Sequence, residues 1–172
     1  LAPNLKVGDP TAMDTLVGPV ISAAQRGRIE SYIQAGSDEG AEIIVDGRRP
    51  SHMERGFYVA PTLIAGCRAD MSPVQEEIFG PVVVVIPFDD EDEGIAIANG
   101  TEFGLYDYVF SQDTDRAYRI ARQLRSGNVG INSAQRNHEA PFGGFKMSGV
   151  GRDGGDFGML CYTEMQSLIW PG

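Results

Sequence analysis

The sequence Gln75-Glu76-Glu77-Ile78-Phe79-Gly80-Pro81 runs without a break into Val82-Val83-Val84-Val85-Ile86. Five successive β-branched residues favour a strand. Because no polar residue alternates with them, we predict a central strand with both faces covered, as in a parallel sheet under helices. The first half is polar, and Gly80-Pro81 favours a bend where the strand begins. This stretch therefore predicts two carboxylates and one aromatic ring held beside a rigid sheet.

The residue types in this turn suit a site for a polar ligand with a planar ring. An ionised carboxylate only accepts hydrogen bonds and can receive them from both hydroxyls of a ribose. An aromatic ring offers a flat apolar wall to a nicotinamide or to a planar carbonyl. Adjacent glutamates are also common in turns that simply face water. Residue type alone therefore leaves both interpretations open.

The turn resembles a family signature. Residues 76–82 read EEIFGPV, the signature of NAD(P)-dependent aldehyde dehydrogenases. Other segments similar to the family occur in the family's order across nearly all 172 residues: VGDP at 7–10, GPV at 18–20, PTL at 61–63, ANGT at 98–101, FGL at 103–105, PFGGFK at 141–146, SG at 148–149 and GR at 151–152. The resemblance implies an α/β fold, namely part of an aldehyde dehydrogenase catalytic domain with a mostly parallel sheet flanked by helices.

The resemblance also implies roles for individual residues. Glu77 would hold the nicotinamide ribose hydroxyls of NAD or NADP, and Phe79 would pack near the nicotinamide. Phe142 would wall the aldehyde pocket, with the alternative that it fills the core under its loop. Lys146 would anchor that loop. A metal is not expected.

The reaction of the family runs through a cysteine thiohemiacetal and a thioester, and it converts an aldehyde to a carboxylic acid. In the family pattern, the nucleophilic cysteine and the glutamate base lie in segments N-terminal to this sequence. We therefore expect no catalytic residue among the 172, and no dehydrogenase activity from them alone. The first residue is Leu1, which fits a segment of a longer protein.

Composition limits the partners and the compartment. Fourteen Lys and Arg against 24 Asp and Glu give a formal charge of −10, which repels polyanions, so a nucleic-acid partner is not expected. An apolar run of about 18 residues would be needed for a membrane-spanning helix, and the sequence lacks one. Two cysteines are too few for a disulfide framework and fit a reducing, cytoplasmic location.

The two cysteines are candidates for a thiol nucleophile only by residue type. Arg68 follows Cys67 and would lower the pKa of its thiol, but the surrounding sequence has no nucleophile motif. We expect Cys67 and Cys161 to be inert. The acidic run at 89–93 similarly favours the start of a helix, where carboxylates complement the helix dipole, over a metal site.

The pattern of apolar residues and turn residues predicts the order of elements. Ser22 and Gln25 have capping-box spacing, which predicts a helix to about Asp38 with Ile29 and Ile33 on one face. Strands are expected over 41–45 and over 56–64, the latter at a sheet edge because of Pro61. From Val82 the order is strand, helix, strand, helix, strand, with the later elements near 105–110, 114–124 and 128–132. Residues 133–158 are predicted to form a glycine-rich loop.

The tail alternates in side-chain type over 162–170, which predicts a strand that pairs either with its own sheet or with the edge of a partner subunit. The family resemblance implies that this terminal strand is used in oligomerisation. We therefore divide the chain into residues 1–158, the C-terminal part of a catalytic domain, and residues 159–172, a terminal oligomerisation strand. A homo-oligomer is expected. One competing interpretation is a truncated, non-catalytic relative that acts as an oligomerisation or interaction module. Another is a related acyl-phosphate or acyl-thioester reductase of the same superfamily.

Overall fold

The structure is a computed structural model that describes residues 4–53 and 55–172. The chain divides into two compact units, Leu1–Asp89 and Asp90–Gly172. The boundary between the units lies inside the segment 1–158 that the sequence assigned to one domain. The functional division at residue 158 stays a prediction, and a short helix crosses that position.

The first unit contains a three-stranded sheet and two helices: α1 (Ala23–Asp38), β1 (Glu42–Val45), β2 (Thr62–Ala65), α2 (Ser72–Gln75) and β3 (Val82–Val84). The sheet order is β1-β2-β3. β1 is antiparallel to β2, and β2 is parallel to β3.

α1 forms where the sequence predicts it. The Ser22 side chain accepts a hydrogen bond from the Gln25 backbone N–H at 3.1 Å, which satisfies one of the free amides at the helix start. Gly40 follows the helix with φ +97°, a conformation that costs glycine little. Ile29 and Ile33 are fully buried and pack with Val59. The four-residue spacing of the two isoleucines therefore marks the core face of the helix, as predicted.

β3 differs from the prediction. Within the described residues it is the edge strand of its sheet, and only alternate side chains of the valine run are covered. Val82, Val84 and Ile86 pack against a buried cluster of Ala41, Ile64, Cys67 and Met71. Val83 and Val85 point the other way and are 59% and 45% exposed. The pleat sends neighbouring side chains to opposite faces, and of the residues in this run only Val82, Val84 and Ile86 pack against the buried clusters.

The prediction of an edge strand at 56–64 is also wrong, because β2 is the middle strand. Pro61 precedes the first residue that pairs in β2, Thr62. A proline at that place removes no hydrogen bond from the ladder, so its missing N–H does not exclude a central strand.

The second unit contains seven elements: α3 (Glu91–Asn99), β4 (Phe103–Gly104), β5 (Tyr106–Val109), α4 (Thr114–Ala121), β6 (Asn128–Ile131), β7 (Phe145–Lys146) and α5 (Gly155–Leu160). β5 and β6 are parallel and are joined through α4, as the sequence predicts. Asp90 and Asp113 cap α3 and α4 through their carboxylates. The acidic run therefore starts a helix.

The glycine-rich segment 133–158 is more ordered than predicted. β7 pairs antiparallel with β4, and an isolated bridge joins Phe142 to Asp153. Residues 163–172 contain no helix or strand, and their side chains are exposed. Pairing of 162–170 with a partner subunit stays a prediction. Every helix within residues 4–53 and 55–172 is too short or too polar to cross a membrane.

Candidate functional site

The signature turn, defined as residues 75–81, places one side chain in the core between two exposed ones. Ile78 is buried and packs with Ile29 and Ile33 of α1. Glu77 is exposed, and Phe79 is 77% exposed. The apolar contacts of Ile78 therefore fix the turn, while the carboxylate and the aromatic ring remain outside.

The backbone of the signature turn is unusual at two positions. Phe79 has φ +56°, which few residues other than glycine adopt and which is held only when the surroundings determine it. At Gly80 the turn passes close to α1, and a Cβ atom there would lie 2.6 Å from Ile29 Cδ1. Close approach to α1 thus requires glycine at position 80.

Three side chains of α1, which we call the α1 clamp, hold the turn by its polar groups. Gln25 Nε2 donates to the carbonyl oxygens of Ile78 and Phe79, both at 3.1 Å. Arg28 Nη2 donates to the Glu77 carbonyl at 3.2 Å. The Tyr32 hydroxyl donates to the carboxylate of Glu76. The clamp therefore contacts residues 76–79 from a single helix face.

The α1 clamp was missed by the sequence analysis. The capping-box spacing predicted that the Gln25 side chain reaches back to the start of its own helix, but its amide binds the signature turn instead. The positions 25, 28 and 32 share the helix face of Ile29, which was the available signal. Their targets lie about 50 residues further along the chain, so spacing within the helix could not identify them.

The clamp leaves the Glu77 carboxylate available. The clamp binds the Glu77 backbone carbonyl and the Glu76 carboxylate. The Glu77 side chain itself has no hydrogen bond or ion pair within the described part of the chain. A carboxylate with all its acceptor sites facing water can receive two hydroxyl donors. Glu77 and Phe79 thus form an exposed pair of one acceptor group and one flat apolar surface.

Phe142 lies in the second unit and is half-buried. Its backbone N–H and carbonyl both bond Asp153, each at 2.7 Å. Lys146 Nζ donates to the carbonyl oxygens of Asn99 and Thr101 at 2.9 and 3.0 Å, which confirms its predicted role as an anchor of the loop. The glycine-rich segment around Phe142 is therefore held on both sides.

Phe142 lies beside a cavity and in contact with Arg136. A cavity of about 230 Å³ is lined by Leu105, Phe142 and the loop residues 143–144 and 148–153. Two polar side chains at this cavity bind backbone groups: Arg152 Nη1 donates to the Gly144 carbonyl of the loop at 3.0 Å, and Ser148 Oγ accepts from the Gly104 N–H of β4. Over the Phe142 ring lies Arg136, whose Cζ is 3.9 Å from the ring centroid.

Cys67 does not have the environment of a nucleophile. Cys67 is 2% exposed, and its Sγ contacts the Ile64 carbonyl at 3.8 Å. Burial raises the pKa of the Cys67 thiol, opposite to the effect that the neighbouring Arg68 would have. Cys161 is exposed on the tail side of α5. The geometry of Cys67 fits the inert thiol that the sequence predicts.

The chain was compared with known proteins. The sequence model of the aldehyde dehydrogenase family matches residues 1–168. A putative aldehyde dehydrogenase of Staphylococcus saprophyticus is 42% identical over 166 residues, which are 96% of this chain and 35% of the relative. The chain therefore spans about a third of that relative's length.

Two solved structures have the same fold. The aldehyde dehydrogenase of Mycobacterium tuberculosis complexed with NAD+ superposes with a TM-score of 0.95 at 40% identity, over 99% of this chain and 35% of that one. A betaine aldehyde dehydrogenase of Staphylococcus aureus, also in complex with NAD+, gives 0.89 at 43% identity over 94% and 33%. These matches confirm the α/β fold of a partial catalytic domain, and the chain belongs to the aldehyde dehydrogenase family.

Proposed function

We propose that these 172 residues are the C-terminal part of an enzyme that oxidises an aldehyde to a carboxylic acid with NAD+ or NADP+. The cofactor supplies the hydride acceptor. The observation that carries the proposal is the signature turn, in which Glu77 and Phe79 are presented to solvent by a turn that α1 holds in place. Family membership and the NAD+ bound to the two solved relatives support it.

The residues present fit part of a nicotinamide site. In this proposal the Glu77 carboxylate accepts hydrogen bonds from the two hydroxyls of the nicotinamide ribose, for which its side chain is available. Phe79 offers its exposed ring as a wall for the nicotinamide. Gln25 and Arg28 already hold the carbonyl groups of the signature turn, which supports a preorganised site in this proposal.

Phe142 is the proposed wall of the aldehyde pocket. The bonds to Asp153 fix the backbone of Phe142, so the position of its ring is defined by the loop. A half-buried aromatic side chain on a fixed loop can pack against a substrate and exclude water from it. Its contact with Arg136 shows that one ring face accepts a polar neighbour.

The role of Glu77 is tested by Glu77→Gln in the full-length protein that carries these residues. The change removes the negative charge but keeps the size of the side chain. Because hydrogen bonds to a charged group contribute about 1.5–3 kcal/mol, we expect the KM for the dinucleotide to rise about tenfold or more. Glu42→Gln, an exposed glutamate of β1, is the matched control. Equal KM values for the two variants would contradict the assignment.

The 172 residues alone are expected to produce no NADH or NADPH from an aldehyde, because the family nucleophile is not expected among them. Purified chain and full-length protein are compared with hexanal and each dinucleotide. Aldehyde-dependent reduction by the chain alone would show that the nucleophile lies within it.

The second candidate function is a non-catalytic oligomerisation module. The exposed apolar side chains of the tail, among them Leu168, Ile169 and Trp170, favour it. The test measures folding, self-association and aldehyde-dependent reduction of each dinucleotide in the full-length protein. A folded protein that self-associates but reduces neither dinucleotide would support the module and contradict the enzyme.

A further inference from the structure

We propose that Arg136 is a specificity-determining residue, which makes the aldehyde pocket selective for aldehydes that carry a carboxylate. The inference rests on the proposed function, in which Phe142 lines that pocket. It goes beyond that function because it names the class of aldehyde. It depends on three observations: the contact of Arg136 with Phe142, the absence of a partner for its charge among the residues that the structure describes, and the acidity of the chain.

The first observation is geometric. The guanidinium carbon of Arg136 lies 3.9 Å from the centroid of the Phe142 ring. The other cation–aromatic contacts of the described residues are longer, between 5.3 and 5.9 Å. A cation–aromatic contact is an attraction between the charge and the ring face and needs no hydrogen bond. Contact with Phe142 therefore positions Arg136 without using its hydrogen-bond donors.

The second observation is that no described residue of this chain compensates the Arg136 charge. Arg116 pairs with Glu91, and Arg152 donates to loop carbonyls. By contrast, Arg136 is exposed and makes neither an ion pair nor a hydrogen bond to any residue in 4–53 or 55–172. The acidic side chain nearest in sequence, Glu139, is exposed and does not pair with it. The guanidinium N–H donors of Arg136 are thus available beside Phe142, which lines the proposed aldehyde pocket.

The third observation is the charge of the surroundings. The chain carries a formal charge of −10, which disfavours an anionic substrate unless a local cation offsets it. A planar guanidinium binds a carboxylate through two parallel hydrogen bonds, which gives direction as well as attraction. A quaternary ammonium would instead be repelled at this position. We therefore expect this protein to differ in substrate from the betaine aldehyde dehydrogenase that it resembles.

The test compares 6-oxohexanoate with hexanal, which have the same chain length and differ at the far end. The full-length wild-type protein is expected to show the higher kcat/KM for 6-oxohexanoate. In Arg136→Gln, we expect kcat/KM for 6-oxohexanoate to fall about 10- to 100-fold, because a charge-assisted pair of hydrogen bonds is lost. For hexanal we expect a change below about twofold, since it has no group for Arg136 to bind.

Two further variants separate charge from packing. Arg119→Gln changes the net charge equally on an exposed face of α4, and is expected to leave both aldehydes unaffected. Arg136→Lys keeps the charge and should retain part of the preference for 6-oxohexanoate. The preference of the wild type should also weaken at high salt, since ions screen exposed charges, and the Arg136→Gln variant should show little dependence on salt.

The outcomes distinguish the two proposals. If the wild type oxidises both aldehydes and Arg136→Gln leaves their ratio unchanged, the inference about Arg136 is wrong and the proposed function stands. Equal losses for both aldehydes in Arg136→Gln and Arg136→Lys would show that Arg136 only packs on Phe142, which also overturns the inference. If the folded wild-type protein oxidises neither aldehyde, the proposed function fails and the inference fails with it.

Discussion

At Gly80 the backbone of the signature turn runs so close to α1 that a side chain has no room. A Cβ atom would overlap Ile29, a fully buried residue of the core that cannot move aside. The neighbouring Ile78 enters the same cluster, and Phe79 takes a positive φ between the two. The exposure of Phe79 is thus a consequence of how its two neighbours fit against α1.

Gly80→Ala is expected to destabilise the fold. Forcing a methyl group into a packed core costs typically about 1–3 kcal/mol, so the Tm of a full-length protein about three times the size of this chain should fall by about 1–3 °C. Gly27→Ala is the matched control, because Gly27 lies exposed within α1 with nothing within 4 Å of the added methyl group. That change should be neutral or stabilising. If the Gly80→Ala and Gly27→Ala proteins had the same Tm, the steric argument would be wrong.

The two cysteines differ in burial and should differ in reactivity. Iodoacetamide reacts with the thiolate, and burial both hides the Cys67 sulfur and raises the pKa of its thiol. A raised pKa means that less thiolate is present at any given pH. Alkylation of Cys67 should therefore lag behind that of the exposed Cys161 and begin at higher pH.

Peptide mass spectrometry measures this reactivity at each cysteine separately. Urea should remove the difference between the two sites, since both are exposed in the unfolded chain. Rapid labelling of folded Cys67 near pH 7 would mean that its thiol is activated. Cys67 would then be a candidate nucleophile, contrary to the prediction.

Among the elements, α1 shows which structural features could be predicted from the sequence and which could not. Its start at Ser22, its end near Asp38 and its buried isoleucines follow from local spacing, and all three are confirmed. The clamp could not be predicted, because Gln25 and Arg28 act on a turn that is distant in sequence. Local spacing determines the elements, whereas contacts between distant segments depend on tertiary packing.

The same limit explains the two strands that were assigned wrongly. A run of apolar β-branched residues predicts a strand, but its composition does not say which neighbours pair with it. The order β1-β2-β3 placed β2 in the centre and left Val83 and Val85 uncovered in this chain.

The candidate site residues Glu77, Phe79 and Phe142 were identified by resemblance to the family, and their roles stay predictions. The contact of Arg136 with Phe142 could not be predicted from the sequence.

The α1 clamp should act on cofactor binding through the signature turn. Gln25→Glu keeps the shape of the side chain but removes the N–H donors to the carbonyls of Ile78 and Phe79. Loosening the turn should raise the KM for the dinucleotide several-fold, because the lost hydrogen bonds contribute about 0.5–1.5 kcal/mol each. The KM for the aldehyde should change little.

Gln34→Glu is the control for this variant, since Gln34 lies on α1 and contacts Asp38 and Arg48 instead of the turn. The measurement is steady-state kinetics in the full-length protein, with Tm recorded for each variant. A dinucleotide KM that does not change in Gln25→Glu would show that the turn keeps its position without the clamp.

On the scale of the whole molecule, many large apolar side chains of the chain are exposed. They include Val83 and Val85 on the outer face of β3 and several residues of the tail after α5. Contiguous exposed apolar surface normally marks a contact with other protein. Since the chain spans about a third of the length of its relatives, we expect the rest of the enzyme to cover β3, and we expect a second subunit to cover the tail.

The tail prediction is tested with Leu168→Asp and Ile169→Asp in the full-length protein. Burial of such a side chain stabilises a contact by about 1.5–3 kcal/mol, and a two-fold symmetric interface contains each residue twice. One substitution should thus weaken the dimer by about 3–6 kcal/mol, a rise in Kd of at least a hundredfold. Light scattering after size exclusion should show a smaller species at micromolar concentration.

Val150→Asp is the matched control, because Val150 is equally exposed and apolar but lies outside the tail. It should leave the molecular mass unchanged. If the Leu168 and Ile169 variants keep the mass of the wild type, the tail does not form the subunit contact. If the wild type is itself a monomer, the exposed tail has no partner of its own kind, and the homo-oligomer prediction is wrong.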